Sequence, residues 1–514
     1  MKESVLKNKK YIVGVIALIH TLLTFISDKG IFIFPASDAS GYPAAVFDYV
    51  VCKVLCLLLL YVIYSYIWDM AMPGRSQTLA WKITMSALPY LIVIVAVAAI
   101  KLPQGYLSND EYSIYNDAVN LTHGTWFNIM TAYYYTVSLM ALPFKYAPII
   151  FKMLIEFFAV GYVTFRSREY FGNRVGLLSY LLFLLYPVIA YTTSAHRLPI
   201  YFLIYLVLFT KMIFDGLEGK SIDLKSLALM LLTGAVLTQW RTEGIYLAVL
   251  VPILMLLTYK NILRDKKLLI SGAVMAVAFQ MIVAYPQNAF SGAALDDAAN
   301  DRMKPFYAYT ITNMYRNGLD LEKNKEDLEI VDKYLSLDVL EAINEHYGDI
   351  NYEDVLILYQ EGFMGVREEA TVEDFVNYSD ALKRIFKNNP DVFIKTRIGA
   401  FCYAALPYHI DFSNGGARGL ISGCISIVKS LAYNLFIPFG VAIVLLIYSL
   451  IKRRWFDFFA AGGLLCHWFI VFILAPASYF KYYFPLYIMA YFYVILGVMG
   501  LVATKSKHSV EMHE

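Results

Sequence analysis

The chain has 514 residues, of which 59% are hydrophobic and only 16% charged, with a formal net charge of +2. Apolar runs that repeatedly reach the roughly 20 residues needed to cross a bilayer exclude a soluble enzyme. The near-neutral balance lacks the basic footprint of a nucleic-acid binder, so no nucleic-acid partner is expected.

Lys7, Lys9 and Lys10 precede an apolar run that opens at Tyr11, as in a secretory signal. That run continues past a polar break at Asp28 and Lys29 to about Phe34, so it reads as an uncleaved first span. Further spans are predicted near 46–68, 82–100, 147–165, 174–193, 198–215, 225–240, 244–259, 267–285, 421–451, 456–475 and 481–503. The expected fold is therefore an all-α polytopic membrane protein of about 12 transmembrane helices. Four regions follow: two N-terminal helices over 1–81, a transmembrane core over 82–285, an insertion over 286–420, and C-terminal helices with a short tail over 421–514.

With a cytoplasmic N-terminus, the inside segments collect 20 Lys or Arg and the short outside segments only six: Lys29, Lys101, Lys145, Arg197, Arg241 and Lys481. That bias fixes both termini in the cytoplasm. It also puts two long segments outside, the loop 101–146 and the insertion 286–420. Between Asp296 and Arg397 the insertion holds 22 Asp or Glu against 12 Lys or Arg. Helical periodicity is visible from Leu335 to His346 and from about Val372 to Lys387, before the turn signal Asn389-Pro390. The stretch from Asp391 to His409 reads as an interfacial helix.

Ionisable residues at span ends are costly, so each asks for a role. Asp110, Glu111, Asp117, His123, His196, Arg197, Arg241, Glu243 and Lys481 all fall on the outer face. Adjacent helical residues point about 100° apart, which gives Asp110 and Glu111 different tasks. Arg241 and Glu243 either satisfy each other at the headgroup level or present a guanidinium that grips phosphate bidentately. Lys481 is either a snorkelling anchor among Tyr479, Tyr482 and Tyr483 or a second phosphate ligand. Lys152 and Glu156, four apart in the fourth span, read as a structural pair. Asp48 and Lys53 are expected to pair with neighbours, and His20 and His467 to donate to backbone carbonyls. The five cysteines show no metal spacing and read as packing residues, with a Cys402–Cys424 bridge as an alternative. There is no phosphate-binding GxxxxGK, no GxSxG elbow, no dinucleotide fingerprint and no closed zinc site.

The acidic motif Asn109-Asp110-Glu111-Tyr112, continuing to Leu121, follows a span. Arg166-Ser167-Arg168-Glu169-Tyr170-Phe171-Gly172-Asn173-Arg174 then precedes a span ending in Tyr186 and Pro187. Lys481-Tyr482-Tyr483-Phe484-Pro485 opens the last span. Together these resemble the GT-C membrane glycosyltransferases, especially the family 39-like branch with the protein mannosyltransferases and lipid A aminoarabinose transferases. Lys481 stands where that family's late element has arginine, and the resemblance covers about 82–285 and 481–485. It implies a sugar donor on polyprenyl phosphate, an acidic residue of the first outer loop as base, and a glycan, lipid or protein acceptor. On this reading Asp110 is the base, and Glu111 orients a loop group or binds a divalent metal such as Mg or Mn. Arg241 and Lys481 contact the donor phosphate, supported by Glu243, His196, Arg197 and Tyr482. A bacterial plasma membrane is expected, since no retention signal is visible and the family has many bacterial members of this length. Two other readings stay open: a transporter or flippase of a lipid-linked saccharide, and an outer-face polysaccharide polymerase or ligase in which His196 and Arg197 would matter more.

Overall fold

A computed structural model describes residues 8–71, 76, 78–105, 107–122, 127–290, 295–347, 365–408 and 416–511. Among them the secondary structure is helical, apart from an isolated antiparallel bridge between Leu335 and Val366. Nine helical segments of the described residues are long and apolar enough to cross a membrane, with Leu224–Trp240 and Thr242–Thr258 as shorter apolar helices. The protein is thus an all-helical chain compatible with multiple membrane crossings.

The chain divides into two compact units. The first comprises Met1–Gly292, Val444–Gly463 and Ile488–Glu514, and the second Ala293–Ile443 and Leu464–Tyr487. The first unit opens with α1 (Lys9–Asp28), α2 (Tyr42–Ala71) and α3 (Leu79–Lys101). The expected outer loop is itself mostly helical, forming α4 (Asn109–Asn120) and α5 (Ile129–Ala141). Then come α6 (Ala147–Phe171), the short α7 (Tyr180–Phe183) and α8 (Tyr186–Ala190), and α9 (Arg197–Leu217). The series closes with α10 (Leu224–Trp240), α11 (Leu247–Thr258), α12 (Lys260–Arg264) and α13 (Lys266–Phe290).

Buried Ala17, Cys52, Cys56, Leu139, Met140 and Ala147 join α1, α2, α5 and α6 into one core. A second cluster, Ile114, Ala118, Phe127, Tyr135, Ile149 and Ala195, lies under α4. Polar pairs stitch the N-terminal helices. Lys53 pairs with Asp28 and donates to Thr24 Oγ1 at 2.6 Å, while the Tyr133 hydroxyl donates to Asp48. His20 contacts the Tyr64 hydroxyl at 2.9 Å rather than a carbonyl, because Tyr64 lies opposite it on α2.

The apolar run 174–193 departs from the single helix its composition suggests. It is a 3-10 turn over Val175–Ser179 followed by α7 and α8, and it returns along α6 in the opposite direction. The Ser179 hydroxyl donates to Thr164 Oγ1 at 3.0 Å near one end, and Thr192 to Glu156 Oε1 at 3.0 Å near the other. The break has a covalent cause. Pro187 has no N–H to offer the carbonyl of Phe183, and the Tyr90 hydroxyl of α3 donates to that carbonyl instead, at 2.9 Å. Irregular backbone of this kind is tolerated at membrane depth only where protein groups satisfy it.

The second unit contains α14 (Leu295–Arg316), α15 (Lys325–Asp332), α16 (Leu337–Tyr347), α17 (Val372–Asn388), α18 (Pro390–Ala405) and α19 (Gly416–Ala432). Helices α20 (Phe436–Ile451), α21 (Trp455–Leu474) and α22 (Phe484–Glu511) complete the chain. The helical patterns read at 335–346 and 372–387 are α16 and α17. The 421–451 run is divided between α19 and α20, where the Asn434 side chain accepts the Phe436 N–H at 2.8 Å and so starts a new helix. An aromatic core of Tyr307, Tyr309, Tyr334, Phe375 and Tyr378 closes α14 to α17 together. Buried Arg397 of α18 donates from Nη2 to the Ala475 carbonyl at 2.9 Å, and its Nε donates to Phe472 O at 2.5 Å. It thereby satisfies carbonyls that the end of α21 leaves open. All five cysteines are free, so the 402–424 bridge is absent.

Candidate functional site

Gly105, at φ 92°, ends the turn after α3, and Ser108 caps α4. The Glu111 carboxylate reaches back to the Ser108 N–H at 3.0 Å, completing a capping box. The Ser-x-x-Glu spacing of Ser108 and Glu111 is a signal the sequence reading passed over. Both Asp110 and Glu111 sit in the first turn of α4, where the helix dipole favours negative charge.

The two acids have different surroundings. Asp110 is 35% exposed and its Oδ2 lies 3.0 Å from His196 Nε2. His196 is the N-cap of α9, and its Nδ1 accepts the Leu198 N–H at 3.3 Å. With Nδ1 accepting, the proton of the neutral ring belongs on Nε2, which donates to Asp110. Glu111 is only 2% exposed; its Oε1 accepts the Ser194 hydroxyl at 2.9 Å. Burial pushes its carboxyl above the ordinary value, while hydrogen bonds from Ser108, Ser194 and the His196 backbone oppose the rise. Glu111 thus bonds groups on both sides of the site, the Ser108 N–H and the Ser194 hydroxyl. Ser194 had no marker in the sequence, because its contact with α4 is made across 83 positions.

Arg241 lies on the turn after α10. It is 2% exposed and donates from Nε to Glu243 Oε1 at 2.8 Å, with Nη2 donating to the same oxygen. The self-satisfying pair is therefore formed. The Trp240 indole N–H donates to the Arg197 carbonyl at 2.8 Å, which brings the end of α10 against the start of α9. Arg197 stacks over Phe127 with its guanidinium carbon 4.7 Å from the ring centre. Gly244 is required here: a Cβ would come 2.7 Å from the Leu237 carbonyl oxygen and 3.1 Å from the Tyr201 hydroxyl.

Asp110 and Glu111 of α4 thus meet Ser194 and His196 just before α9, and Arg197 joins the end of α10, with Arg241 and Glu243 on the turn beyond it. Lys481 and Tyr482 belong to the second unit. There the Lys481 ammonium lies 4.9 Å from the centre of the Tyr479 ring and 6.0 Å from that of Tyr482. The Tyr482 carbonyl receives His467 Nε2 at 2.9 Å, the backbone partner expected for that histidine. His123 lies outside the described residues. Among the described residues no group of three or more His, Cys, Asp and Glu side chains is arranged around a metal position. No protein-family model, curated protein or solved structure matches the chain.

Proposed function

We propose that the protein is a membrane glycosyltransferase that moves a sugar from a polyprenyl-phosphate donor to an acceptor hydroxyl on the extracytoplasmic face, with inversion. The observation that carries this reading is the Asp110–His196 pair. It offers a partly exposed carboxylate, oriented by the His196 ring, at the mouth of a membrane helix. In the proposed step Asp110 takes the proton of the acceptor hydroxyl, and the freed oxygen pair attacks the anomeric carbon. The bond from that carbon to the phosphate oxygen breaks, and polyprenyl phosphate leaves with its electrons. Phosphate is a good leaving group, so no general acid is needed. Arg241, held by Glu243, is the proposed stabiliser of the charge that gathers on the departing phosphate.

The test is transfer by purified protein in lipid, supplied with a polyprenyl-phosphate sugar. We expect Asp110→Asn to lower kcat by about 100- to 10,000-fold, the range supplied by a positioned base. Full transfer by that variant overturns the assignment. Arg241→Ala should slow the same step by about 100-fold or more.

One observation favours a second reading. The return crossing over 174–193 is a broken helix, and broken helices frame substrate sites in secondary transporters. Movement of the labelled donor across a sealed vesicle without any sugar transfer would select that alternative.

A further inference from the structure

Between Ala190 and His196 the chain forms a short strap that is not helical, yet Thr192 and Ala195 within it are wholly buried. Ionisable side chains from three helices hold it. Lys101 of α3 donates to the Ala190 carbonyl at 2.9 Å, and Lys152 of α6 to that of Tyr191 at 2.5 Å. Thr192 donates to Glu156 of α6, and Ser194 to Glu111 of α4 at 2.9 Å. Lys152 and Glu156 are themselves joined at 2.5 Å, and each is 1% exposed. The Tyr90 hydroxyl adds a further hydrogen bond to Glu156 at 3.1 Å.

An ion pair this deep contributes little net stability, because removing two charges from water costs about what their attraction returns. What the pair does fix is geometry. Its two members grip successive residues of the strap, Tyr191 and Thr192, and the strap ends on the histidine that faces Asp110. We infer that Lys152, with Glu156, is a positioning residue: it anchors the strap so that His196 holds Asp110 in one orientation, and it touches no substrate. The catalytic consequence rests on reading Asp110 as the base; the anchoring itself does not.

The experiment uses the full chain in lipid nanodiscs with two variants. Lys152→Met/Glu156→Gln removes the pair without stranding a buried charge. Thr192→Val deletes one strap hydrogen bond and leaves the pair intact. Modification of His196 by diethyl pyrocarbonate, followed by mass spectrometry, should accelerate about tenfold as the strap opens locally, while His467 in the second unit keeps its rate. With a polyprenyl-phosphate sugar, kcat should fall about 10- to 100-fold and KM should hold, as expected for a displaced base. If the double variant does not fold, Thr192→Val decides by the same two readouts. Unchanged His196 protection in a folded variant overturns the anchor. Faster His196 modification in a protein whose wild type transfers no sugar upholds the anchor and removes the glycosyltransferase reading, so the two failures are distinguishable.

Discussion

Asp110 and Glu111 are neighbours in sequence but have opposite relations to water, and that difference makes a measurable claim about Glu111. Its carboxyl is raised above the ordinary value of 4.5, chiefly by burial. A carboxyl with a raised value in the folded state binds its proton more tightly there than in the unfolded chain. Stability from this group is therefore greatest at low pH, and falls as pH climbs from about 4.5 through the raised value. We expect Glu111→Gln to flatten that part of the stability curve. It should change stability at pH 7 by about 1 kcal/mol or less, since an amide oxygen can still accept one of the two main hydrogen bonds. Thermal unfolding followed across pH 4.5 to 8 checks this, and an unaltered slope in the variant would show that Glu111 is ionised in the folded protein. The sequence made the acid pair visible, because adjacency is local, but it presents the helix that opens there only as part of an outer loop. It could not show that His196 and Ser194 close over the pair, because those contacts join segments more than 80 positions apart.

Among the helices of the first unit, α3 and α6 pack closely, and a single glycine permits it. A Cβ on Gly161 would lie 2.5 Å from the Ile83 carbonyl oxygen and 2.9 Å from the Ala87 Cβ, distances that no real side chain occupies. Membrane helices have little hydrophobic reason to associate, so close packing over small residues is what holds such a pair. Gly161→Val should force α3 and α6 apart and cost about 1–3 kcal/mol or more, as overpacking does. Tyr90 and Lys101 of α3 would move with it, away from the Phe183 and Ala190 carbonyls that they satisfy. Unfolding in denaturant, monitored by tryptophan fluorescence, measures the loss; a variant as stable as the wild type would mean the two helices can separate freely. Elements of this kind were legible to different degrees. Long apolar runs declared α2, α6 and α9, since length and composition suffice to mark them. The broken return over 174–193 read as an ordinary span because its residues are equally apolar. Only Pro187, set against a hydroxyl that arrives from Tyr90 on another helix, explains why it is not one.

At the scale of the first unit, α9 separates two charged groupings. α9 carries His196 and Arg197 at one end and Asp215 at the other; its 21 residues span about 30 Å, the thickness of a hydrocarbon core. At the Asp215 end, Arg166 of α6 bonds Asp215 at 3.0 Å and Glu218 at 2.9 Å, Lys211 reaches Asp215 at 2.7 Å, and Tyr259 donates to Asp215 at 2.7 Å. Arg166, one of the basic residues counted on the inner side, thus pairs with acids at one end of α9, and the candidate site is at the other. This arrangement makes orientation a decisive test of the proposed chemistry, because a lipid-linked donor must be met on one face. In a background with Cys402, Cys424 and Cys466 replaced by serine, a cysteine at Leu107, which is 37% exposed near α4, should react with a membrane-impermeant maleimide applied to intact cells. A cysteine at Lys220, whose side chain is 47% exposed beyond the far end of α9, should react only after permeabilisation. The opposite pattern would put Asp110 and His196 on the cytoplasmic face. An extracytoplasmic transferase could not then use them, and the positive-inside count would have misassigned the first unit as a whole.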